Sequence, residues 1–297
     1  MTKKIALISP GSLGAAVGKA LSRIGHAVLC DVSNRSAATK RRAFDEGFFL
    51  CRSLNEMLLE CDVILSLATP SQALLVSKKI SDGIKQLQEE GVLSVDHKKI
   101  FVDGNSISPE TAGKVLKETT SVGMSGIKAS FFGPADTFAQ DNVLVLSGAR
   151  AAEVASLFRG LAEVRLISKE FCAAAAVKMS MSIITKCLPA VFLESMGAAV
   201  ASGQLDATLK LFERLYPGHA QLMKRVMPTY PRHVLRRADE MLEIEAWLCQ
   251  LGQDPVMTRS ARESIDALRL YKHSGEDLGD LQQVVQTFVP SQPKAAE

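Results

Sequence analysis

A lysine and two hydroxyl side chains share one face of an otherwise apolar helical segment. Lys178, Ser182 and Thr185 stand at positions i, i+4 and i+7 within residues 171–201, and successive helical residues are about 100° apart. A lysine there could donate a proton or a hydrogen bond to an oxygen of a bound substrate, and burial would move its pKa towards a useful range. A structural lysine, paired with an acid or extended towards water, is the alternative interpretation.

A glycine turn follows the first apolar run, residues 5–8, and leads into a helical pattern. Gly11 and Gly14 match the second and third glycines of G-x-G-x-x-G, Ser9 replaces the first, and Gly18 follows one helical turn later. Such a turn offers backbone N–H groups and the positive end of a helix dipole to a pyrophosphate. Glycine turns also join many strands to helices without any ligand. It is the position in the first βα unit that favours a dinucleotide-binding turn here.

The second apolar run ends at Asp31 and is followed by Asn34, Arg35 and Ser36. An acidic residue at this point accepts the ribose hydroxyls of NAD, whereas an arginine holds the extra phosphate of NADP. The two interpretations conflict. The segment favours NADP because residues 34–36 open a helix, whose dipole would attract a phosphate together with the guanidinium. A solvated helix face that includes the basic residues 40–42 is the alternative.

Two further loops follow predicted strands, at the carboxyl ends where open α/β sheets bind ligands. The first contains Leu67 and Thr69, and the second runs from Asp103 to Pro109 with several small hydroxyl and amide groups. The second loop could hold a carboxylate or carbonyl substrate. It could equally be an ordinary helix N-terminus, since Asn and Ser residues precede the proline.

The elements that must position these residues follow from the order of apolar runs and helical patterns. The runs lie at residues 5–8, 27–30, 48–51, 63–67, 100–102, 144–146 and 164–167. Their alternation with helical patterns predicts an α/β Rossmann domain with a doubly wound, mostly parallel sheet over residues 1–168. Long helical patterns separated by Gly and Pro then predict an all-α domain over residues 169–297, with a disordered tail from residue 290.

The composition indicates an ordinary soluble protein. Of its 297 residues 47% are hydrophobic and 23% charged, and the net charge of +3 is too small to indicate nucleic acid or an anionic membrane as a partner. Lys178, Lys186 and Glu194 interrupt residues 171–201, which we therefore expect to be a helix buried in protein rather than in lipid. Six cysteines without a CxxC pair, and no secretory signal before the first strand, predict free thiols, no metal site and a cytoplasmic location.

These features together resemble the β-hydroxyacid dehydrogenase superfamily, which includes 3-hydroxyisobutyrate dehydrogenase and the cofactor domain of 6-phosphogluconate dehydrogenase. The resemblance spans nearly the whole chain. It rests on residues 8–14, 34–36, 103–109 and 131–133, and on Lys178 followed sixteen residues later by Glu194. Residues 35–39, 178–179, 185–186 and 240–244 resemble a phosphogluconate-dehydrogenase-like branch.

The resemblance implies roles for individual residues. Lys178 would be the general acid/base, and Ser106 and Gly133 would contact the substrate, to which we add Ser182 and Thr185 from the helix face. Six residues would surround the cofactor: Ser12, Leu13, Arg35, Ser36, Leu67 and Thr69. Four more from the same turns and loops complete the predicted cofactor site: Gly11, Gly14, Asn34 and Asn105. The resemblance also implies a homodimer built largely from the helical half.

Three departures from the family pattern affect the expected activity. Ser9 replaces a glycine, Ser182 stands where members usually carry an asparagine, and a substrate-binding glycine pair is reduced to Gly133. We expect hydride transfer between NADP(H), or NAD(H), and a small hydroxy acid or its aldehyde or keto form. We also expect the particular substrate to differ from those of the family members named above. An imine reductase, in which the lysine is commonly replaced, and a non-catalytic NADP(H)-binding sensor or scaffold are the alternatives.

A second polar face occurs near the end of the chain, where His233, Arg237 and Glu240 share helical spacing. These side chains could close over a substrate. A surface ladder of ion pairs is the interpretation that the spacing favours.

Overall fold

The structure is a computed structural model that describes residues 2–34, 36–135, 137–140, 142–230, 234–268 and 279–289. The chain divides into two compact units between Met179 and Ser180. The division falls inside a helix that begins at Ala173, whereas the sequence places the change of character at residue 168.

An eight-stranded sheet forms the centre of the first unit. Its strands are β1 (Lys4–Ile8), β2 (Ala27–Asp31), β3 (Phe49–Cys51), β4 (Val63–Ser66), β5 (Ile100–Asp103), β6 (Ser125–Phe132), β7 (Val143–Ser147) and β8 (Glu163–Ser168). The strand order is β3-β2-β1-β4-β5-β6-β7-β8. Every neighbouring pair is parallel except β6 and β7, which are antiparallel. The predicted doubly wound, mostly parallel sheet is confirmed.

Both faces of the central strands are buried, which explains their continuous apolar runs. Leu7 and Leu65 belong to one core cluster, whereas Ala6 and Ile64 belong to another. Since successive residues of a strand point to opposite faces, helices must cover the sheet on both sides.

The helices of the first unit connect these strands. They are α1 (Ser12–Arg23), α2 (Ala37–Asp45), α3 (Leu54–Glu60), α4 (Ala73–Glu89), α5 (Pro109–Thr120), α6 (Ala151–Leu157) and the start of α7 (Ala173–Ala201), with a short 3₁₀ turn at Pro70–Gln72. Serine side chains cap three of them: Ser36, Ser53 and Ser108 each accept a backbone N–H from the first helical turn.

The described part of the second unit is helical, as predicted. After α7 come α8 (Leu205–Leu215), α9 (Pro217–Val226), α10 (Val234–Gln250), α11 (Val256–Ala267) and α12 (Leu281–Phe288). Their core contains aromatic and flexible side chains, among them Phe192, Met196, Met241 and Phe288. The predicted disordered tail from residue 290 lies outside the described residues.

One strand is nearly invisible to the pattern of apolar runs. The runs miss β6 altogether, because Lys128 and Ser130 interrupt its apolar sequence; only the family resemblance indicated a strand end at residues 131–133. Both polar side chains are nevertheless buried, Lys128 completely. A buried lysine in a central strand needs partners from elsewhere in the fold, which a local pattern does not contain.

Helix α7 is buried along only one stripe, which includes Met179, Ser182 and Lys186. An opposite stripe of apolar side chains is exposed, namely Val177, Met181, Ile184 and Val191. Within one chain, the expectation of a helix buried in protein therefore holds for the first stripe and not for this face. Among the described residues, α7 is the one helix long and apolar enough to cross a membrane, a test that core helices of soluble proteins also pass.

Candidate functional site

The glycine turn has the geometry of a tight strand-to-helix junction. Ser9 adopts φ = 66°, a left-handed conformation that favours glycine, and its carbonyl oxygen accepts the N–H of Gly11 at 2.7 Å. A β-carbon on Gly14 would lie 2.5 Å from that same oxygen, and one on Gly18 would lie 2.6 Å from the Phe48 ring. Packing inside the chain therefore requires glycine at positions 14 and 18.

Gly11 differs, because nothing inside the chain requires glycine there. Its φ of −70° suits any residue, and a β-carbon would meet no atom closer than the Ser9 carbonyl oxygen at 3.9 Å. Gly11 is the N-cap residue of α1, so no cap side chain covers the helix N-terminus. Ser12 and Leu13 follow in the first turn, exposed and half-buried. An open space beside uncapped backbone N–H groups fits a pyrophosphate.

The segment after β2 combines an acid with a basic helix. Ser33 donates to Asp31 Oδ1 through both its backbone N–H and its hydroxyl, at 3.0 and 2.6 Å. Asn34 is exposed, Ser36 caps α2, and Arg35 lies outside the described residues. The guanidinium of Arg42 donates to the Pro10 carbonyl oxygen at 3.4 Å, which joins α2 to the glycine turn.

The loop after β4 lies beside the turn after β5. Leu67 is half-buried, and its backbone N–H donates to the Ile8 carbonyl oxygen at 3.2 Å. Thr69 is exposed and precedes the 3₁₀ turn. A β-carbon on Gly104 would lie 2.6 Å from the Leu67 side chain, so any larger residue at this position would have to displace Leu67.

A buried charge network lies beneath the loop after β5. The ammonium of Lys128 donates to the carbonyl oxygens of Asp103 and Asn105 at 3.1 and 2.6 Å, and lies 3.1 Å from Asp103 Oδ2. Neither side chain of the ion pair is exposed. Burial lowers the pKa of Lys128, and the negative charge of Asp103 opposes that shift.

The sequence predicted Asn105 as a cofactor contact, and the structure gives it internal partners. Its amide nitrogen donates to Asp103 Oδ1 at 2.6 Å and to the Ser66 hydroxyl at 3.3 Å. The adjacent Ser106 is half-buried and lies between this network and Ser108, the N-cap of α5. Sequence reasoning missed Lys128 and Ser66. The available signal was a lysine in an apolar segment, β6, that follows a strand, β5, ending in an aspartate.

Lys178 lies in the first unit, in the second turn of α7. Its ammonium donates to the carbonyl oxygen of Phe131 at 2.6 Å and lies 4.5 Å from the centre of the Phe132 ring. These are the last two residues of β6, so the amine is held at the carboxyl edge of the sheet. A cationic donor at this edge can give a proton to a substrate oxygen and take it back.

Gly133 follows directly in a turn with φ = 116°, a conformation that L side chains rarely adopt. A β-carbon there would lie 2.7 Å from the amide nitrogen of Asn142, which itself donates to the Pro134 carbonyl oxygen at 3.3 Å. The strand end beside Lys178 is therefore closely packed, and its backbone can be approached only because Gly133 lacks a side chain.

The remaining predicted substrate residues belong to the second unit. Ser182 is buried and Thr185 is exposed, with the Thr185 hydroxyl donating to the carbonyl oxygens of Met181 and Ser182. Their helical spacing from Lys178 is as predicted, since α7 is continuous. Glu194 is exposed.

The polar face of α10 is not the surface ladder that the spacing favoured. Glu240 is buried and pairs with Lys186 of α7 at 2.8 Å, while the Arg237 guanidinium lies 4.3 Å from the centre of the Tyr230 ring. His233 lies outside the described residues. Glu240 therefore pairs between helices of the core, which helical spacing alone does not reveal. Among the described residues, no group of three or more His, Cys, Asp or Glu could hold a metal ion.

Family models decide the relationship. The model for the NAD binding domain of 6-phosphogluconate dehydrogenase matches residues 4–165, and that for a domain of unknown function, DUF1932, matches residues 199–268. The chain belongs to the β-hydroxyacid dehydrogenase superfamily. The glycine turn and the eight-stranded sheet of this superfamily member thus form a domain of the nicotinamide-cofactor-binding type.

Individual proteins are similar to this β-hydroxyacid dehydrogenase superfamily member in sequence or in fold. An uncharacterized 28.5 kDa protein in the 7S RNA 5′ region of Methanothermus fervidus is 26% identical over an alignment of 255 residues, and the match covers 82% of this chain and 88% of that one. The conserved protein MTH1747, described as structurally similar to 3-hydroxyacid dehydrogenases, has a TM-score of 0.68 and 24% identity, over 90% of this chain and 96% of that one. The 3-hydroxyisobutyrate dehydrogenase of Mycobacterium tuberculosis has a TM-score of 0.67 and 16% identity, over 97% and 99%.

Proposed function

We propose that this protein catalyses reversible hydride transfer between NADP(H) and a small hydroxy acid or its aldehyde or keto form, with Lys178 as general acid/base. The observation that carries the proposal is the position of the Lys178 ammonium at the end of β6, 2.6 Å from the Phe131 carbonyl oxygen. It lies at the edge of the sheet where the glycine turn also lies, as this chemistry requires.

The cofactor would be held by the glycine turn and the neighbouring loops. Gly11, Ser12 and Leu13 would meet the pyrophosphate at the start of α1, because Gly11 leaves the space that a side chain would fill. Leu67 and Thr69 would line the path towards the nicotinamide. When bound, the nicotinamide supplies or accepts the hydride.

Lys178 would manage the proton that accompanies the hydride. In the direction of reduction its Nζ would give a proton to the substrate oxygen, and in the direction of oxidation it would take one away. The Phe131 carbonyl oxygen and the Phe132 ring both stabilise the protonated amine. Ser106 and the backbone at Gly133 would orient the substrate beside it.

Preference for NADP over NAD is supported by the arrangement around α2. The Asp31 carboxylate accepts two hydrogen bonds from Ser33, while Arg42 brings a positive charge to the glycine turn. Asn34, Arg35 and the cap residue Ser36 would bind the additional phosphate at the helix N-terminus. The cytoplasm is the proposed location and a homodimer the proposed assembly.

Two measurements test the function. Titration with NADPH and with NADH measures both dissociation constants, and a panel of hydroxy acids, semialdehydes and cyclic imines measures turnover. We expect tighter binding of NADPH and turnover of a hydroxy acid or its carbonyl form. A large preference for NADH would reassign the specificity to Asp31. Turnover of imines alone would indicate an imine reductase, and tight binding without turnover would indicate a sensor.

Lys178→Met tests the catalyst directly. The variant should bind NADPH as the natural protein does, and its kcat should fall by about a hundredfold to ten-thousandfold, because general acid/base catalysis contributes on that order. Unchanged kcat would show that Lys178 is not the general acid/base.

A further inference from the structure

The ion pair between Lys128 and Asp103 is the most deeply buried charge pair in the described residues. Both side chains are completely inaccessible to solvent, and they belong to the neighbouring strands β6 and β5. Removing two charges from water carries a large penalty in free energy, and well-packed apolar side chains commonly stabilise a fold as well or better. Packing of the sheet alone therefore gives no reason for a lysine at this position.

The hydrogen bonds of Lys128 are directed at one turn of the backbone. Its ammonium donates to the carbonyl oxygens of Asp103 and Asn105, at 3.1 and 2.6 Å. The Asp103 carboxylate in turn accepts the backbone N–H and the side-chain amide of Asn105, at 3.0 and 2.6 Å. The turn at residues 103–105 is thus closed around the ammonium, and its shape depends on that group.

The same turn is joined to the neighbouring strand β4. The Gly104 N–H donates to the Ser66 carbonyl oxygen at 2.9 Å, and the Asn105 amide donates to the Ser66 hydroxyl at 3.3 Å. The side chain of Leu67, which follows Ser66, lies 2.6 Å from the position that a β-carbon of Gly104 would take. Lys128 therefore lies at the base of a network that fixes two of the loops at the carboxyl edge of the sheet.

We propose that Lys128 is a positioning residue for dinucleotide binding: through Asp103, Asn105 and Ser66 it holds the loops at residues 67–69 and 103–106 in the shape that receives the nicotinamide end of the cofactor. Lys128 acts through these partners and not by touching the cofactor. The inference rests on the proposed function, because it assumes that these loops receive a nicotinamide dinucleotide.

The chain offers a matched control at the opposite end of the same sheet. Lys99 precedes β5, is 8% exposed, and donates to the carbonyl oxygens of Leu59 and Cys61 at 3.1 and 2.6 Å. Like Lys128, it is a buried lysine bonded to two backbone carbonyl groups. It lies at the amino end of the strand, whereas ligands of open α/β sheets bind at the carboxyl ends.

The experiment compares Lys128→Met with Lys99→Met in the full-length protein, using NADPH and NADH titrations and thermal unfolding. Both variants should unfold at lower temperature. Only Lys128→Met should bind the preferred dinucleotide about tenfold more weakly, because displaced binding groups lose contacts that depend on exact placement. Equal loss of affinity in both variants, or none in Lys128→Met, would overturn the positioning role.

A double variant covers the case in which Lys128→Met fails to fold around an unpaired carboxylate. Asp103→Asn with Lys128→Met removes both charges and keeps an amide oxygen that can accept from Asn105. Its unfolding temperature should exceed that of the single variant, while its dinucleotide affinity stays about tenfold below that of the natural protein. Restored affinity would show that the ion pair serves stability alone. If the natural protein binds neither dinucleotide, it is the proposed function that fails.

Discussion

Ser9 shows how a single residue can depart from a family pattern without changing the local backbone. The position calls for a left-handed conformation, and the serine adopts it with φ = 66°. An L side chain in this conformation costs roughly 1–2 kcal/mol relative to glycine, which has no β-carbon to collide with its neighbours. The turn is therefore kept at the expense of stability.

Replacing Ser9 by glycine and by alanine separates conformation from the hydroxyl group. Both variants lose the hydroxyl, and only alanine retains a β-carbon. The free energy of unfolding should therefore be higher for Ser9→Gly than for Ser9→Ala, by about 1 kcal/mol. The difference is not larger because glycine also raises the conformational entropy of the unfolded chain, which offsets part of the gain. Urea denaturation measures both. A glycine variant no more stable than the alanine variant would show that the serine conformation is not strained.

At the scale of elements, the strands were predictable and their polar contacts were not. Strands such as β1 and β4 are buried on both faces, so their apolar runs stand out in the sequence. Lys128 concealed β6 because its partner Asp103 is 25 residues away in the chain. Glu240 was assigned to the surface for the same reason, since its partner Lys186 lies on another helix. Local periodicity carries no information on such pairs.

The β1–α1 junction provides a prediction at this scale, because packing inside the chain requires Gly14, whereas the proposed binding of the pyrophosphate requires Gly11. Gly14→Ala places a β-carbon 2.5 Å from the Ser9 carbonyl oxygen, so it should lower the free energy of unfolding by about 1–3 kcal/mol. Gly11→Ala meets no close atom, so the only expected loss is the difference between glycine and alanine at an N-cap, and its free energy of unfolding should fall by less than about 1 kcal/mol. It should nevertheless weaken NADPH binding by about tenfold or more, because the methyl group occupies the space assigned to the pyrophosphate.

Denaturation and NADPH titration of the same two variants give the answer. Gly14→Ala serves as the comparison in which stability and binding fall together. Normal NADPH affinity in Gly11→Ala would show that the pyrophosphate does not bind at the start of α1.

At the scale of the whole molecule, the exposed apolar stripe of α7 is the feature that a single chain leaves unexplained. Val177, Met181, Ile184 and Val191 recur at helical spacing, and each is at least 36% exposed. Contiguous apolar surface of this kind is typical of an interface with another protein. A second copy of the chain is the proposed occupant, in keeping with the homodimer that the family resemblance implies.

A charge placed in this stripe should separate the dimer. In a two-fold interface each substitution occurs twice, and burying an unpaired carboxylate costs several kcal/mol, so Ile184→Glu should shift the protein from a dimer to a monomer. Val95→Glu is the matched control, because Val95 is an exposed apolar residue in the connection between α4 and β5 and should leave the dimer intact. Sedimentation equilibrium over a range of concentrations measures the mass of each variant. A dimer that survives Ile184→Glu would place the interface elsewhere, and a monomeric natural protein would exclude the dimer altogether.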